Sequence, residues 1–247
     1  MLELKNLSYC VRNEDGTDLT ILNNISLTIE DNKLVVFTGP NGGGKTTLAR
    51  AIMGLIRPTS GQIFYNGRDI TDLGITERAR LGICYGFQQP PRFKGMRVRD
   101  LLCIAAGNEK LPQSVCCDYL TQVGLCANDY LEREVDTSLS GGEVKRIEIA
   151  TVLARKGSML LFDEPEAGID LWSFSMLIKR FEEIHRTQKE CLILISHQER
   201  IIRMADKIMV IEDGEVKKYG KRDDVLPALF AQDKCQKCTS SLEGGVC

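Results

Sequence analysis

Hydrophobic positions along the chain follow two spacings, and the switches between them mark out its elements. Over 2–11 and 19–30 apolar and polar residues alternate, as in "LTILNNISLTI", which predicts strands with one face buried. "LVVF" at 34–37 is a continuous apolar run, the pattern of a strand buried on both faces. A glycine-rich turn and a helix from about Lys45 to Leu55 come next. "GQIFYNGRDI" carries the Asn66-Gly67 signal of a hairpin, and "RLGICYGF" reads as another strand. From Pro90 to about Lys156 the texture is helical, in "VRDLLCIAAG", "QSVCCDYLTQVGL" and "SGGEVKRIEIATVLARK", with no strand between them. Apolar strands return as "MLLFD", "CLILIS" and "KIMVIEDGEVKKYG", separated by helix patterns at 171–188 and 198–205. Strands alternating with helices predict an α/β fold around a mainly parallel sheet, with a helical insert at about 90–156. The pattern fades over the last residues, so 1–226 is expected to form one domain and 227–247 a mobile, cysteine-containing tail.

Composition narrows the classes of partner. Lysine and arginine number 32 against 34 acidic residues, a net charge of −2 with no basic stripe, which argues against a nucleic-acid partner. "MLELKNLSY" has no apolar core of signal-peptide length, and no run of roughly 18 apolar residues occurs, so a membrane role would need a partner subunit. Of the 10 cysteines, Cys84, Cys103 and Cys191 sit within apolar patterns as small buried thiols. Without a secretion signal they point to a reducing, cytoplasmic compartment. Cys235 and Cys238 form a C-x-x-C followed by Cys247, but a single such pair is read as part of the tail rather than as a metal site.

The chemistry begins at "GPNGGGKT", 39–46, which fits G-x-x-x-x-G-K-[ST] in full, after a buried strand and before a helix. Backbone N–H groups of Asn41 to Lys45 would wrap a β-phosphate. Gly39, Pro40, Gly42, Gly43 and Gly44 complete the turn, Lys45 reaches the β- and γ-phosphates, Thr46 ligates Mg²⁺ and Thr47 bonds the α-phosphate. The implied ligand is a nucleoside triphosphate, ATP, with Mg²⁺. "MLLFDE", 159–164, ends an apolar strand on two carboxylates: Asp163 to hold Mg²⁺ and Glu164 to polarise an attacking water. "CLILISH" places His197 beyond another buried strand, where it could hydrogen-bond the γ-phosphate. In "YGFQQP" an amide at the seam of sheet and insert could touch both Mg²⁺ and the water; order favours Gln88, with Gln89 beside it as the alternative.

"TSLSGGEVKRIEIA", 137–150, starts a helix at Ser140, Gly141 and Gly142, whose N–H groups make a second anion site. One glycine loop already encloses the phosphates. The second site makes sense if it faces the γ-phosphate held by another copy, in a two-fold, ATP-dependent homodimer that opens on hydrolysis.

These motifs, together with "AGID" at 167–170, occur in the order found in ABC ATPases, which the chain resembles over about residues 2–220. The resemblance implies the ABC ATPase fold: a RecA-like P-loop core, an N-terminal antiparallel β-subdomain and a helical subdomain insert. It also implies an ATPase activity, with Asp170 at the nucleotide interface and Lys45, Gln88, Glu164 and His197 as the catalytic set. More narrowly, "LSGGEVKRIEI" is similar to the signature of SufC, the ATPase of iron–sulfur cluster assembly, at Glu143, Lys145-Arg146 and Glu148-Ile149. That likeness implies a SufB- or SufD-like scaffold as partner. The Q-loop segment "GFQQPPRFKGM" departs from the SufC pattern, as in a divergent branch. Within "PPRFKGMRVRD" the basic Arg92, Lys94, Arg97 and Arg99, with Phe93 and Met96 exposed, are the expected docking surface. For the adenine ring, Val11 holds the expected register and Tyr9 lies two residues earlier. The alternative is the nucleotide-binding subunit of a membrane transporter, with the same reaction and a membrane partner.

Overall fold

In the computed structural model, which describes residues 1–12, 16–187 and 190–229, β1 (Leu2–Arg12) and β2 (Asp18–Ile29) pair antiparallel. With β4 (Ser60–Tyr65) and β5 (Arg68–Asp69) they make a four-stranded sheet in the order β2-β1-β4-β5. Asn66 and Gly67 form the β4–β5 turn with φ of 51° and 77°, the backbone of a two-residue hairpin loop.

The second sheet has six strands in the order β12-β11-β3-β10-β9-β6. These are β3 (Leu34–Thr38), β6 (Ile83–Gly86), β9 (Met159–Asp163), β10 (Cys191–Ile195), β11 (Lys207–Glu212) and β12 (Glu215–Lys221). Only the β11–β12 hairpin is antiparallel. Its geometry explains the unbroken apolar runs. In β3, Leu34 and Val36 enter one core while Val35 and Phe37 enter the other. In β9, Leu160 and Phe162 divide in the same way from Met159 and Leu161. Both faces are covered, so neither parity of position can be polar. One face carries α1 (Lys45–Met53) and the four-stranded sheet, with α2 (Ile75–Arg80) at their margin. The other carries α3 (Val98–Ala105), α4 (Gln113–Gln122), α5 (Ala127–Tyr130), α6 (Gly141–Ala154), α7 (Leu171–Thr187) and α8 (Glu199–Met204). Among the described residues no helix is long and apolar enough to cross a membrane. Cys235, Cys238 and Cys247 lie outside the described residues.

One expectation for the segment between β6 and β9 is corrected. It is not purely helical, because β7 (Phe93–Arg97) pairs with β8 (Glu134–Val135) as a small ribbon. β7 is exposed at all but one position, so no alternation marks it, and its partner is distant in sequence. Of the basic residues expected to form a docking surface, Arg92, Lys94 and Arg97 are exposed, and three of the four also make contacts within the chain. Arg92 donates to the carbonyls of Asp136 and Leu139, and Arg97 and Arg99 both pair with Glu132 at 2.9 and 2.7 Å. Met96 is half-buried, leaving Phe93 as the exposed apolar residue of this ribbon.

Candidate nucleotide site

The strands β3, β10, β9 and β6 are consecutive in the sheet, and a candidate residue follows the C-terminal end of each. Gly39 to Thr47 follow β3, His197 follows β10, Glu164 follows β9 and Gln88 follows β6. The parallel register sets Ile195 opposite both Phe37 and Asp163, so residues far apart in sequence share one rim. Ligands of such sheets bind off these strand ends.

Gly39 has φ 129°, and a Cβ there would lie 2.1 Å from the Ile211 carbonyl oxygen, so the loop runs hard against β11. Gly44 precedes α1, whose first turn has neither a side-chain cap nor an acidic residue. The backbone N–H groups of that turn are left for an anion. The buried Lys45 donates from Nζ to the carbonyls of Gly39 and Pro40, 2.8 Å each. Burial pushes its pKa down, while the charges of Glu164 and then Asp163 oppose the fall. The ammonium is thus partly dehydrated and lies in the field of both carboxylates.

Asp163 is fully buried. Its Oδ1 accepts from Thr46 Oγ1 at 3.2 Å and its Oδ2 from the Tyr85 hydroxyl at 3.0 Å. Burial raises its pKa, against the two hydroxyl donors. A threonine hydroxyl beside a carboxylate is the oxygen donor set that suits Mg²⁺. Tyr85 was not foreseen; its only signal is a hydroxyl at the end of an apolar strand. Glu164 has φ 45°, left-handed for a residue with a Cβ, and its N–H donates to the Ile195 carbonyl at 3.0 Å. His197 stands beyond β10 with its pKa lowered by burial and then by the Lys45 charge, which keeps it uncharged at neutral pH. Ser196 holds its loop, donating to Glu166 and accepting from the Gln198 N–H at 3.0 Å. Glu166 is another residue that sequence reasoning missed. Gln88 and Gln89 are both exposed. Of the adenine candidates, Val11 is exposed on β1 and Tyr9 packs against the core.

The remaining candidates form a second group. Ser140 caps α6 by accepting from the Glu143 N–H at 3.3 Å, and the Glu143 carboxylate accepts the Ser140 N–H at 2.7 Å. Glu143 therefore closes a capping box. A Cβ on Gly142 would lie 2.3 Å from the Gly168 carbonyl oxygen, whereas one on Gly141 would meet nothing. The second glycine is required by close packing on the 167–170 loop, and the first is open to a ligand. Asp170 accepts from the N–H groups of Trp172 and Ser173, 3.0 Å each, capping α7. Among the described residues no hydrogen bond joins this group to the Gly39–Thr47 loop.

α6 nevertheless reaches the first group. Lys145, 1% exposed, donates from Nζ to the carbonyls of Phe87 and of Asp163, the latter at 3.1 Å. Glu148 pairs with Lys145 at 3.5 Å and accepts the Phe87 N–H at 2.8 Å. Burial lowers the lysine pKa and raises that of the glutamate. Beside this pair lies an apolar cavity of about 350 Å³, lined by residues that include Ile75, Phe87, Phe93, Ile104, Val144 and Ile147.

The ABC transporter family model matches residues 22–167. An uncharacterised ABC transporter ATP-binding protein of Methanocaldococcus jannaschii is 38% identical over 234 residues, covering 91% of this chain and 92% of its own. An energy-coupling factor transporter ATP-binding protein of Clostridium acetobutylicum is 30% identical over 241 residues, covering 94% and 84%. Among solved structures, a dimeric ATP-binding cassette in a post-hydrolysis state with ADP and Pi gives a TM-score of 0.82 at 22% identity, over 90% of this chain and 99% of its own. That likeness shows the shared fold.

Proposed function

The chain belongs to the ABC transporter family of ATPases, and from that premise we propose that it is the ATP-hydrolysing subunit of a transporter, working as an ATP-dependent homodimer on a membrane partner. The observation that carries the ATPase reading is the assembly of Lys45, Thr46, Asp163, Glu164 and His197 along one rim of strand ends. In this reading the 39–47 loop binds the triphosphate through backbone N–H groups and Lys45. Glu164 accepts a proton from the attacking water, and the neutral His197 donates to the γ-phosphate. Gln88 reports the state of the nucleotide to the insert. Mg²⁺, held by Thr46, Asp163 and Gln88, would supply charge neutralisation on the phosphate oxygens. Ser140, Gly141, Gly142 and Asp170 act across the dimer, on the nucleotide of the other copy. The dimeric state of the structural neighbour supports that arrangement.

For the partner, the apolar cavity is the supporting feature. Ile75, Phe87, Phe93 and Ile104 are large exposed hydrophobics gathered on it. A patch of this kind beside a cavity suits the apolar face of a partner's helix. The transporter names of the relatives favour a membrane subunit. A second reading, a SufB- or SufD-like scaffold in iron–sulfur cluster assembly, rests only on the sequence likeness at Glu143, Lys145-Arg146 and Glu148-Ile149, and the names of the relatives reported above do not support it. The deciding experiment is affinity purification of tagged protein from detergent-solubilised source cells in the presence of ATP. An integral membrane subunit as the co-purifying partner supports the transporter reading. A soluble cluster-binding scaffold overturns it in favour of the second.

A further inference from the structure

We infer that Lys145 and Glu148 are positioning residues that aim Gln88 and Glu164 from the signature helix. Phe87 and Asp163, whose carbonyls both accept from Lys145 Nζ, are the residues immediately before Gln88 and Glu164. One ammonium therefore orients the peptide leading into each of the two side chains assigned to the attacking water. Glu148 adds a second hold on Phe87, accepting its N–H at 2.8 Å, so both polar groups of that residue are gripped by one helix. The 163–164 peptide is likewise held at both ends, its oxygen by Lys145 and its N–H by the Ile195 carbonyl at 3.0 Å. Glu164 sits at φ 45°, and a residue with a Cβ stays in that region only when its surroundings over-determine it. Burying an ammonium is costly unless it is paired and hydrogen-bonded. Here the partners are the Glu148 carboxylate on the same helix and the carbonyls of Phe87 and Asp163.

α6 starts at Gly141 with Ser140 as its cap, so its first turns carry the capped end at one extreme and this bracket a turn later. A displacement of the helix start, as when a second copy engages it, must move or strain the Phe87 and Asp163 peptides together. The bracket thus ties the approach of the other subunit to the aim of the water-handling side chains within this chain. This rests on the ATPase reading for its kinetic consequence and on geometry alone for its structural one.

The test compares the wild type with Lys145→Met and Lys145→Gln. In the nucleotide-free protein, Lys145→Met should accelerate amide hydrogen exchange over 85–90 and 162–166 and leave 39–47 unchanged. In steady state it should lower kcat by about tenfold or more while the Kd for a fluorescent ATP analogue stays within about twofold. Lys145→Gln, which keeps N–H donors, should restore most of the kcat. Unchanged exchange over both segments would overturn the inference, as would kcat losses that simply follow melting temperature across the variants. A wild type without ATPase activity would refute the site reading and leave exchange to decide the bracket. Should Lys145→Met not fold, Glu148→Ala must raise exchange at the Phe87 amide, or the inference fails.

Discussion

Neighbouring carboxylates at the end of β9 stand in unequal surroundings, and the roles proposed for them differ accordingly. Asp163 is fully buried with a hydroxyl on each oxygen, while Glu164, next along the chain, is only half-buried. In the proposed function the first holds a cation and the second exchanges a proton with water. Glu164→Gln should leave ATP binding intact and lower turnover by roughly 10²-fold or more, trapping an ATP-bound dimer visible by size-exclusion chromatography. Turnover at the normal rate would move the base elsewhere. Tyr85→Phe removes the donor to Asp163 Oδ2 and should raise the Mg²⁺ concentration for half-maximal ATPase activity by about tenfold. An unchanged Mg²⁺ titration would make the Tyr85 contact structural only.

Two helices have an end held by polar side chains from the surrounding fold. α1, which carries the glycine loop, ends on carbonyls that Arg78 collects: Ala51 at 2.6 Å and Ile52 at 2.8 Å, with Leu73 and Thr71 at 2.9 Å each. Burial lowers the guanidinium pKa to about 10, so it stays charged at neutral pH. Arg78→Met removes this donor set, leaving Ala51 only the Gly54 N–H at 3.2 Å, and should cost roughly 3 kcal/mol of stability, measured by denaturant unfolding. α6 starts at the Ser140–Glu143 box, where the Tyr130 hydroxyl first and Ser140 next hold the Glu143 pKa down from 4.5 to about 2. The ionised form is thus favoured in the folded state. Its contribution is complete above pH 4.5 and is lost as pH falls toward about 2. The stability gap between wild type and Glu143→Gln should narrow over that window, and a gap constant with pH would rule out the cap as an acid-sensitive element.

At the scale of the whole molecule, the two candidate anion sites lie in separate groups of residues, and a homodimer would unite them. Ser140→Arg puts a bulky cation at the start of α6. It should abolish the ATP-dependent rise in mass by light scattering while the monomer binds nucleotide as before. Unchanged dimerisation would refute the trans arrangement. In the proposed reading the partner docks on the apolar surface beside α6 instead of on the basic residues of 92–99, so its binding should resist salt, as hydrophobic burial does and surface ion pairing does not.

Local physics made much of this legible in the sequence. The glycine loop, the Asn66-Gly67 turn, the apolar runs of β3, β9 and β10 and the carboxylates that end β9 each follow from steric or solvation rules acting within a few residues. So does the capped start of α6, since Ser140 and Glu143 lie within one turn. What the sequence left open was decided by contacts between distant segments. The order β3-β10-β9-β6 is not the chain order, and it alone sets Lys45, Asp163 and His197 on one rim. The β7–β8 ribbon carries no alternation because its first strand is exposed. Lys145 and Glu148 stand in the sequence only as positions of the signature likeness, and packing buries them against Phe87 and Asp163. Burial, and not residue type, made that pair specific, because a charge removed from water must find its partners wherever the fold has put them.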